Sequence, residues 1–387
     1  MRRYKTYING EWFEGTSGIV LRSVDPSNNK ELGEIVQNSK EDVEYAIESA
    51  SRSFYKTREW RDLDVQQRND KLLKIADMIE SEIDEIAKTE SMDNGKPLRE
   101  AQADVDDAVH CFRYYAGLIR TPSGQTYNVN SNFGNMHSYT VKEPVGVCAL
   151  ITPWNFPFLM SVWKIAPALA AGNSIIFKPS SETVLSALKL FEILDKCDLP
   201  KGTANLVIGS GSTVGNLLAE SKKVDMITFT GSTSVGQGIM RAAAGNVKKI
   251  GLELGGKSPN IVFADTDIDK TVEWVMMGIF LNQGEVCCAG SRLIIEKSIK
   301  DKFLKKLVDK TDKLTLGAPL DNPDMGPLIS KKHMQDVLGY IEKGKAEGAK
   351  LLCGGYKCTD DDLVNGNFIK PATVSYTHLR AHETAAN

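Results

Sequence analysis

Histidine is scarce in this sequence, with five in 387 residues, and none is spaced from a cysteine as the ligands of a metal site would be. No metal is expected. An excess of either charge is missing as well: 47 lysines and arginines against 50 aspartates and glutamates leave a net charge of −3. That balance argues against nucleic acid or an anionic membrane surface as a partner and leaves a small neutral or anionic ligand open. The seven cysteines (Cys111, Cys148, Cys197, Cys287, Cys288, Cys353, Cys358) are odd in number and scattered, unlike a disulfide framework. A reducing compartment, the cytoplasm, is expected. The opening stretch "MRRYKTYINGEWFEG" has two arginines but no continuous apolar segment behind them, so a cleaved secretory signal is not expected. An unbroken apolar span is also lacking. The longest candidate, residues 144–172, is interrupted by Pro153, Pro157 and Pro167 and would place Asn155 and Lys164 in lipid. It reads as a buried strand, a turn and a helix instead.

What is present is an ordinary globular composition, 42% hydrophobic and 25% charged, long enough for two to three domains. Residues 1–35 alternate in short runs around an Asn-Gly turn and predict an N-terminal hairpin. Residues 41–120 repeat apolar positions three or four apart and predict a helical layer, stopped at "DNGKP" by Gly95 and Pro97. The polar, β-prone stretch 122–143 predicts a hairpin standing away from the body, of the kind that serves oligomer contacts. From 145 onward apolar strands alternate with amphipathic helices: "VGVCALI", "SIIFK", "ANLVI", "MITFT" and "VKKIGLEL" are the strands, with helices from about 157, 183, 212 and 234. That order predicts an α/β fold with a doubly wound, Rossmann-like parallel sheet whose ligands lie at the strands' carboxyl ends. A second α/β region opens with the helical pattern "DIDKTVEWVMMGIFLNQG", ending at Gly284 and leading onto a loop with two adjacent cysteines. The expected division is residues 1–121 and 145–256 for dinucleotide binding, 122–144 as an oligomerisation hairpin, 257–374 as an incomplete catalytic domain, and 375–387 as an atypical tail.

Several short stretches carry chemistry. "VIGSGSTVG" places Gly209, Gly211 and Gly215 with one residue more than the dinucleotide fingerprint, and "TFTGSTSVG" sets Gly231 and Ser232 between a strand and a helix. Either turn serves packing as readily as phosphate binding. In "NQGEVCCAGSR" a cysteine is either a small buried hydrophobe or a nucleophile, and a loop after a helix suits the latter. Glu253, ending a strand before "GGKSP", reads as a solvated loop charge or a general base. Asn155 in "TPWNFP" reads as a turn residue or an amide donor to an oxyanion.

Taken together, "TPWNFP", "IIFKPSSET", "FTGSTSVG", "LELGGKSP" and "FLNQGEVCCAGSR" resemble the aldehyde dehydrogenase superfamily in order and spacing, over about residues 5–374. The resemblance implies oxidation of a small-molecule aldehyde to a carboxylic acid with NAD or NADP, through a thioester on cysteine. It implies that Cys287 is the nucleophile and Cys288 a variable neighbour, that Asn155 holds the oxyanion, and that Glu253 activates the hydrolytic water. It further implies a cofactor cleft formed by Thr152, Pro153, Trp154, Lys178, Ser181, Gly211, Gly215, Phe229, Gly231, Ser232 and Leu254, in a protein that assembles as a homo-oligomer. A glutamate at 253 disfavours the relatives that pass the acyl group to coenzyme A.

Two features depart from the family pattern. Ser181 stands where NAD-preferring members often carry a ribose-binding glutamate, and a serine there would not repel a 2′-phosphate, so both cofactors stay open; Glu182 is adjacent. The family pattern is also expected to stop near "GNFIKPATV", with "SYTHLRAHETAAN" continuing nothing recognisable, which reads as a truncated chain. The stretch "PWNFPFLMSVWKIAP" most resembles the betaine-aldehyde branch, in which Phe156 and Trp163 would face a quaternary ammonium; both read equally as ordinary tunnel or core aromatics. The alternative from another class is a non-catalytic relative that retains only cofactor binding or a structural role.

Overall fold

The computed structural model describes residues 2–360 and 362–376, so the expectation for the end of the 375–387 tail lies outside the described residues. Five short strands come first: β1 (Arg3–Tyr4), β2 (Thr6–Ile8), β3 (Glu11–Phe13), β4 (Val20–Asp25) and β5 (Lys30–Val36). Four helices follow: α1 (Lys40–Arg52), α2 (Val65–Ser81), α3 (Ile83–Asn94) and α4 (Leu98–Leu118). The hairpin β6 (Thr126–Ser131) and β7 (Gly134–Tyr139) leads into the alternating region. That region runs β8 (Val147–Ile151), α5 (Pro157–Ala170), β9 (Ser174–Lys178), α6 (Leu185–Lys196), β10 (Ala204–Leu206), α7 (Asn216–Glu220), β11 (Met226–Gly231), α8 (Thr233–Ala243) and β12 (Lys249–Leu254). The remainder comprises β13 (Pro259–Val262), α9 (Ile268–Phe280), β14 (Arg292–Ile295), α10 (Lys300–Thr311), α11 (Lys331–Ala346), β15 (Lys350–Cys353) and β16 (Thr373–Ser375).

The central sheet has the order β12-β11-β8-β9-β10-β2-β3. Its first five strands are parallel, as the alternation of strands and helices requires. The N-terminal hairpin does not stand apart: β2 pairs antiparallel with β10 and carries β3 with it. Its Asn9-Gly10 turn has both residues at positive φ, 55° and 80°, the geometry that a tight two-residue hairpin needs. The sheet is therefore parallel only up to β10, and the hairpin covers what would be its open edge.

Every residue of β8 and β9 is buried, because helices cover both faces. Alternate side chains go to opposite layers. Cys148, Leu150, Ile175 and Phe177 pack with residues of α2 to α6, whereas Val147, Ala149, Ile151 and Ile176 pack with α1, α7 and α8. Capping boxes start the helical layer, Ser39 with Asp42 at α1 and Asp64 with Gln67 at α2. Gly95 stops α3 with φ of 100°, and a side chain there would meet Pro26 and the Pro327 carbonyl at 2.9 Å.

Two expectations are corrected in detail. The helix expected from 212 begins as a wide helical turn over Gly211–Gly215, capped by the Ser210 hydroxyl, and only then becomes the short α7. Helix α9 ends at Phe280 rather than at Gly284, because Asn282 and Gln283 turn into the left-handed region at φ of 46° and 57°. On its inner face Val272 and Val275 are buried against Val262, Phe303 and Leu307, with Ile268 at the margin. The β6–β7 hairpin projects as expected, with β7 exposed along its whole length. Among the described residues no helix is long and apolar enough to cross a membrane.

Candidate active site

The carboxyl ends of β8, β9, β11 and β12 lie side by side in the sheet, and the turns that leave them wall a cleft of about 300 Å3. The turn after β8 contributes Thr152, Pro153, Trp154 and Asn155, and the end of β9 with its turn contributes Lys178 and Ser181. Gly211, Phe229, Gly231, Ser232 and Leu254 complete the predicted set that lines it, and Cys287 reaches the same cleft from the loop after α9.

Gly215 is not in the wall. It lies within the helical turn behind it, near the stem of Lys178.

One end of the cleft suits a dinucleotide. Ser232 caps α8 by accepting a hydrogen bond from the Val235 N–H at 3.4 Å, which sets the helix's N-terminal amides toward the cleft. Gly231 has no room for a side chain, since a Cβ would sit 2.5 Å from the Phe229 ring. Lys178 is buried, donates to the Pro179 carbonyl at 2.8 Å, and is pushed down to about 8 by burial. The hydroxyls of Thr152 and Thr230 are buried and lack a partner among the described residues, between the apolar walls of Ile151, Phe229, Val235 and Leu254. Unpaired donors beside a helix N-terminus and apolar walls fit a nucleotide with an anionic linkage.

The other end is reactive. The Asn155 side-chain amide donates to the Glu285 carbonyl at 2.7 Å, and the Asn155 carbonyl accepts from the Asn282 amide at 2.7 Å. The turn that carries Asn155 is also held from below: Asn94 donates to the Trp154 carbonyl at 2.9 Å and the Phe158 N–H donates to Glu90 at 2.8 Å. Cys287 is half-buried and its thiol is pushed up, first by burial and then by the neighbouring Cys288, which is itself exposed and outside the cleft wall. The adjacent pair therefore divides, Cys287 half-buried in the cleft wall and Cys288 exposed outside it.

Besides Gly215, three predicted residues lie apart. Glu253 is exposed on β12, where strand alternation turns it away from Leu252 and Leu254. Its charge acts on Lys164 of α5, whose amine is pushed down to about 8 by burial, with Glu253 opposing that shift, and which donates to the Thr228 hydroxyl at 2.9 Å. Phe156 packs at the edge of the main core, with the Lys96 ammonium 4.2 Å from its ring centre. That ammonium is buried between Glu90 and Asp104, so one ring face already holds the protein's own cation. Trp163 is 50% exposed on α5 and does not line the cleft.

Sequence reading missed Ser180, Thr230, Gly255 and above all Glu285, which line the cleft. The Glu285 carboxyl is buried, accepts the Ile329 N–H at 3.1 Å, and is raised to about 8 by burial. A charged residue between Gly284 and the cysteines was the available signal, but only the packing shows that it points inward.

Residues 12–382 match the model of the aldehyde dehydrogenase family, past the 374 at which the resemblance was expected to end. Betaine aldehyde dehydrogenase of Bacillus subtilis (strain 168) is 45% identical over 370 residues, which cover 95% of this chain and 75% of that protein. The peroxisomal aminoaldehyde dehydrogenase 1 of Pisum sativum is 42% identical over 95% of this chain and 74% of its own length. Among solved structures, betaine aldehyde dehydrogenase from Staphylococcus aureus in complex with NAD+ superimposes with a TM-score of 0.92 at 41% identity, over 96% of this chain and 73% of that one.

Proposed function

Because this chain belongs to the aldehyde dehydrogenase family and is an NAD(P)-dependent aldehyde dehydrogenase, we propose that Cys287 is its nucleophile, Asn155 its oxyanion donor and Glu253 the base for hydrolysis. One observation carries this reading: Cys287 and Asn155 open onto the same cleft as Lys178 and the Gly231-Ser232 turn, so nucleophile and dinucleotide donors share one space.

The thiol of Cys287, raised by burial, must lose its proton before it attacks. Its sulfur then adds to the aldehyde carbon, and the carbonyl oxygen gains a negative charge. The Asn155 amide has two N–H groups, one of which is committed to the Glu285 carbonyl at 2.7 Å, leaving the second for that oxygen. Bound NAD(P) supplies the hydride acceptor. Cys287 is left as a thioester, and Glu253, which stands outside the cleft wall in this structure, would turn its side chain toward Cys287 to take a proton from the water that cleaves the thioester, releasing the carboxylic acid and the free thiol. Lys178 would hold the adenosine ribose and Gly231 with Ser232 the pyrophosphate, and Ser181, without a carboxylate, leaves room for either NAD or NADP.

Residues 1–121 and 145–256 are proposed as the dinucleotide-binding unit, 257–374 as the catalytic unit, and 122–144 as an arm for homo-oligomer contact. The free cysteines among the described residues support a cytoplasmic setting. Betaine aldehyde is the proposed substrate, on the strength of the Bacillus and Staphylococcus relatives' names; with Lys96 on its ring, Phe156 is assigned to positioning rather than to a cation cage.

The test follows reduction of NAD and NADP by absorbance, with betaine aldehyde and propanal as substrates. Turnover is expected in the wild type and not in Cys287→Ala. Asn155→Ala is expected to lower kcat by about a hundredfold or more, the loss typical of one oxyanion donor. Turnover that survives Cys287→Ala would overturn the assignment.

A further inference from the structure

Glu285 stands where three stretches of chain meet. Its backbone carbonyl accepts the Asn155 amide at 2.7 Å and, more weakly, the Asn282 amide at 3.4 Å. Its Oε1 accepts the Ile329 N–H at 3.1 Å, on the segment that leads into α11, and lies 3.6 Å from Nε2 of His333 on that helix. The His333 ring in turn meets the Trp154 ring edge to face at 5.1 Å, next to Asn155. Its Oε2 is buried without a partner among the described residues.

We propose that Glu285 is a positioning residue for the reaction: its side chain clamps the cysteine loop to the segment before α11, so that its own carbonyl aims the Asn155 amide at the substrate oxygen. The inference rests on the roles proposed above for Cys287 and Asn155. The physical argument concerns where the loop is anchored. Asn282 and Gln283 are left-handed and Gly284 follows at φ of 82°, so backbone regularity does not hold this stretch, and the Glu285 side chain supplies a fixed point two residues before the nucleophile. A misplacement of about 1 Å at such a site costs on the order of a hundredfold in rate.

The clamp works best with an uncharged carboxyl. Burial raises Glu285 to about 8, opposed by the Ile329 N–H and by the positive charge of Lys96 at the α3–α4 turn. The Lys96 ammonium is itself bound by Glu90 and Asp104, and the other titratable group at the carboxyl, His333, is held below its usual range by burial. Among the described residues no cation is therefore dedicated to Glu285, and its ionisation would leave an unpaired charge in the wall of the cleft.

The test compares wild type, Glu285→Gln and Glu285→Ala with betaine aldehyde and propanal across pH 6–10, and measures NAD and NADP binding separately from quenching of tryptophan fluorescence, since Trp154 lines the cleft. Glu285→Ala is expected to lower kcat at least about tenfold while dinucleotide affinity stays within about threefold. Glu285→Gln, neutral and still able to accept the Ile329 N–H, is expected to keep kcat within about threefold at pH 7 and to lack the fall in kcat that the wild type shows above about pH 8. Full kcat in Glu285→Ala, an equal loss in Glu285→Gln, or identical pH profiles for wild type and Glu285→Gln would each overturn the inference. If Glu285→Ala does not fold, the two remaining pH profiles decide. Turnover that survives Cys287→Ala would instead defeat the site assignment itself, which keeps the two failures distinct.

Discussion

At the scale of single residues, burial rather than sequence neighbourhood sets the chemistry. Asp93 is fully enclosed, accepts the Ser23 hydroxyl at 2.5 Å and the Leu185 N–H at 2.9 Å, and is nevertheless raised from 3.8 to about 7, because burial outweighs those two bonds. The sign follows from proton binding. Between about pH 3.8 and 7 the unfolded chain has released this proton while the folded chain retains it, so stability falls as pH rises through that window. Glu285, raised from 4.5 to about 8, adds a fall of the same sign. Asp93→Asn removes the charge, keeps the Leu185 N–H on its amide oxygen and turns its NH2 toward the Ser23 hydroxyl, which then accepts instead of donating, and its unfolding midpoint is expected to decline less than that of the wild type between pH 4.5 and 7. Parallel denaturation curves for the two proteins would mean that Asp93 is ionised in the native state. At this scale the sequence could single out Cys287 from Cys288 only by resemblance. The structure separates them by exposure, which depends on how the loop leaves Gln283.

At the scale of elements, local pattern was a good guide wherever an element is long or buried on both faces. β8 and β9 read from sequence as unbroken apolar runs because no face of them meets water. Phe177 in β9 shows what the alternation is worth: fully buried, it stacks against Phe191 of α6 with ring centres 5.9 Å apart. Phe177→Ala is expected to cost about 3–5 kcal/mol in denaturant unfolding at constant slope, the range for a large aromatic removed from a tight core. A loss below about 1 kcal/mol would show that the core refills the space. Local pattern failed at the end of α9. Leu281 to Gly284 continue a plausible helical composition, but the Asn282 N–H is taken by the Glu100 carboxyl of α4 at 2.9 Å, a contact 182 positions away in sequence. The same reason hid the destination of the N-terminal hairpin, whose turn was legible and whose sheet partner, β10, was not.

At the scale of the whole molecule, the β6–β7 arm is the part with least reason to be ordered alone. Tyr127, Val129, Met136 and Tyr139 are exposed along it and Phe133 is 95% exposed, a concentration of apolar surface that a second chain would cover. Replacing residues 123–142 by a short Gly-Ser linker is expected to reduce the mass in light scattering to that of a single chain while dinucleotide binding persists. An unchanged mass would show that the arm makes no oligomer contact. The sequence by itself determined the alternation of strands and helices from β8 to β12, the two-sided burial of β8 and β9 and the identity of the residues in the cysteine, asparagine and glycine motifs, because periodicity, turn chemistry and motif spacing are all local properties of a chain. Only the tertiary structure decided that Cys287 and not Cys288 meets the cleft, that Phe156 lies against Lys96, that Glu253 and Trp163 stand outside the wall, and that Glu285 joins three segments of chain. Those outcomes depend on burial and on distances between residues far apart in sequence, which no local pattern encodes.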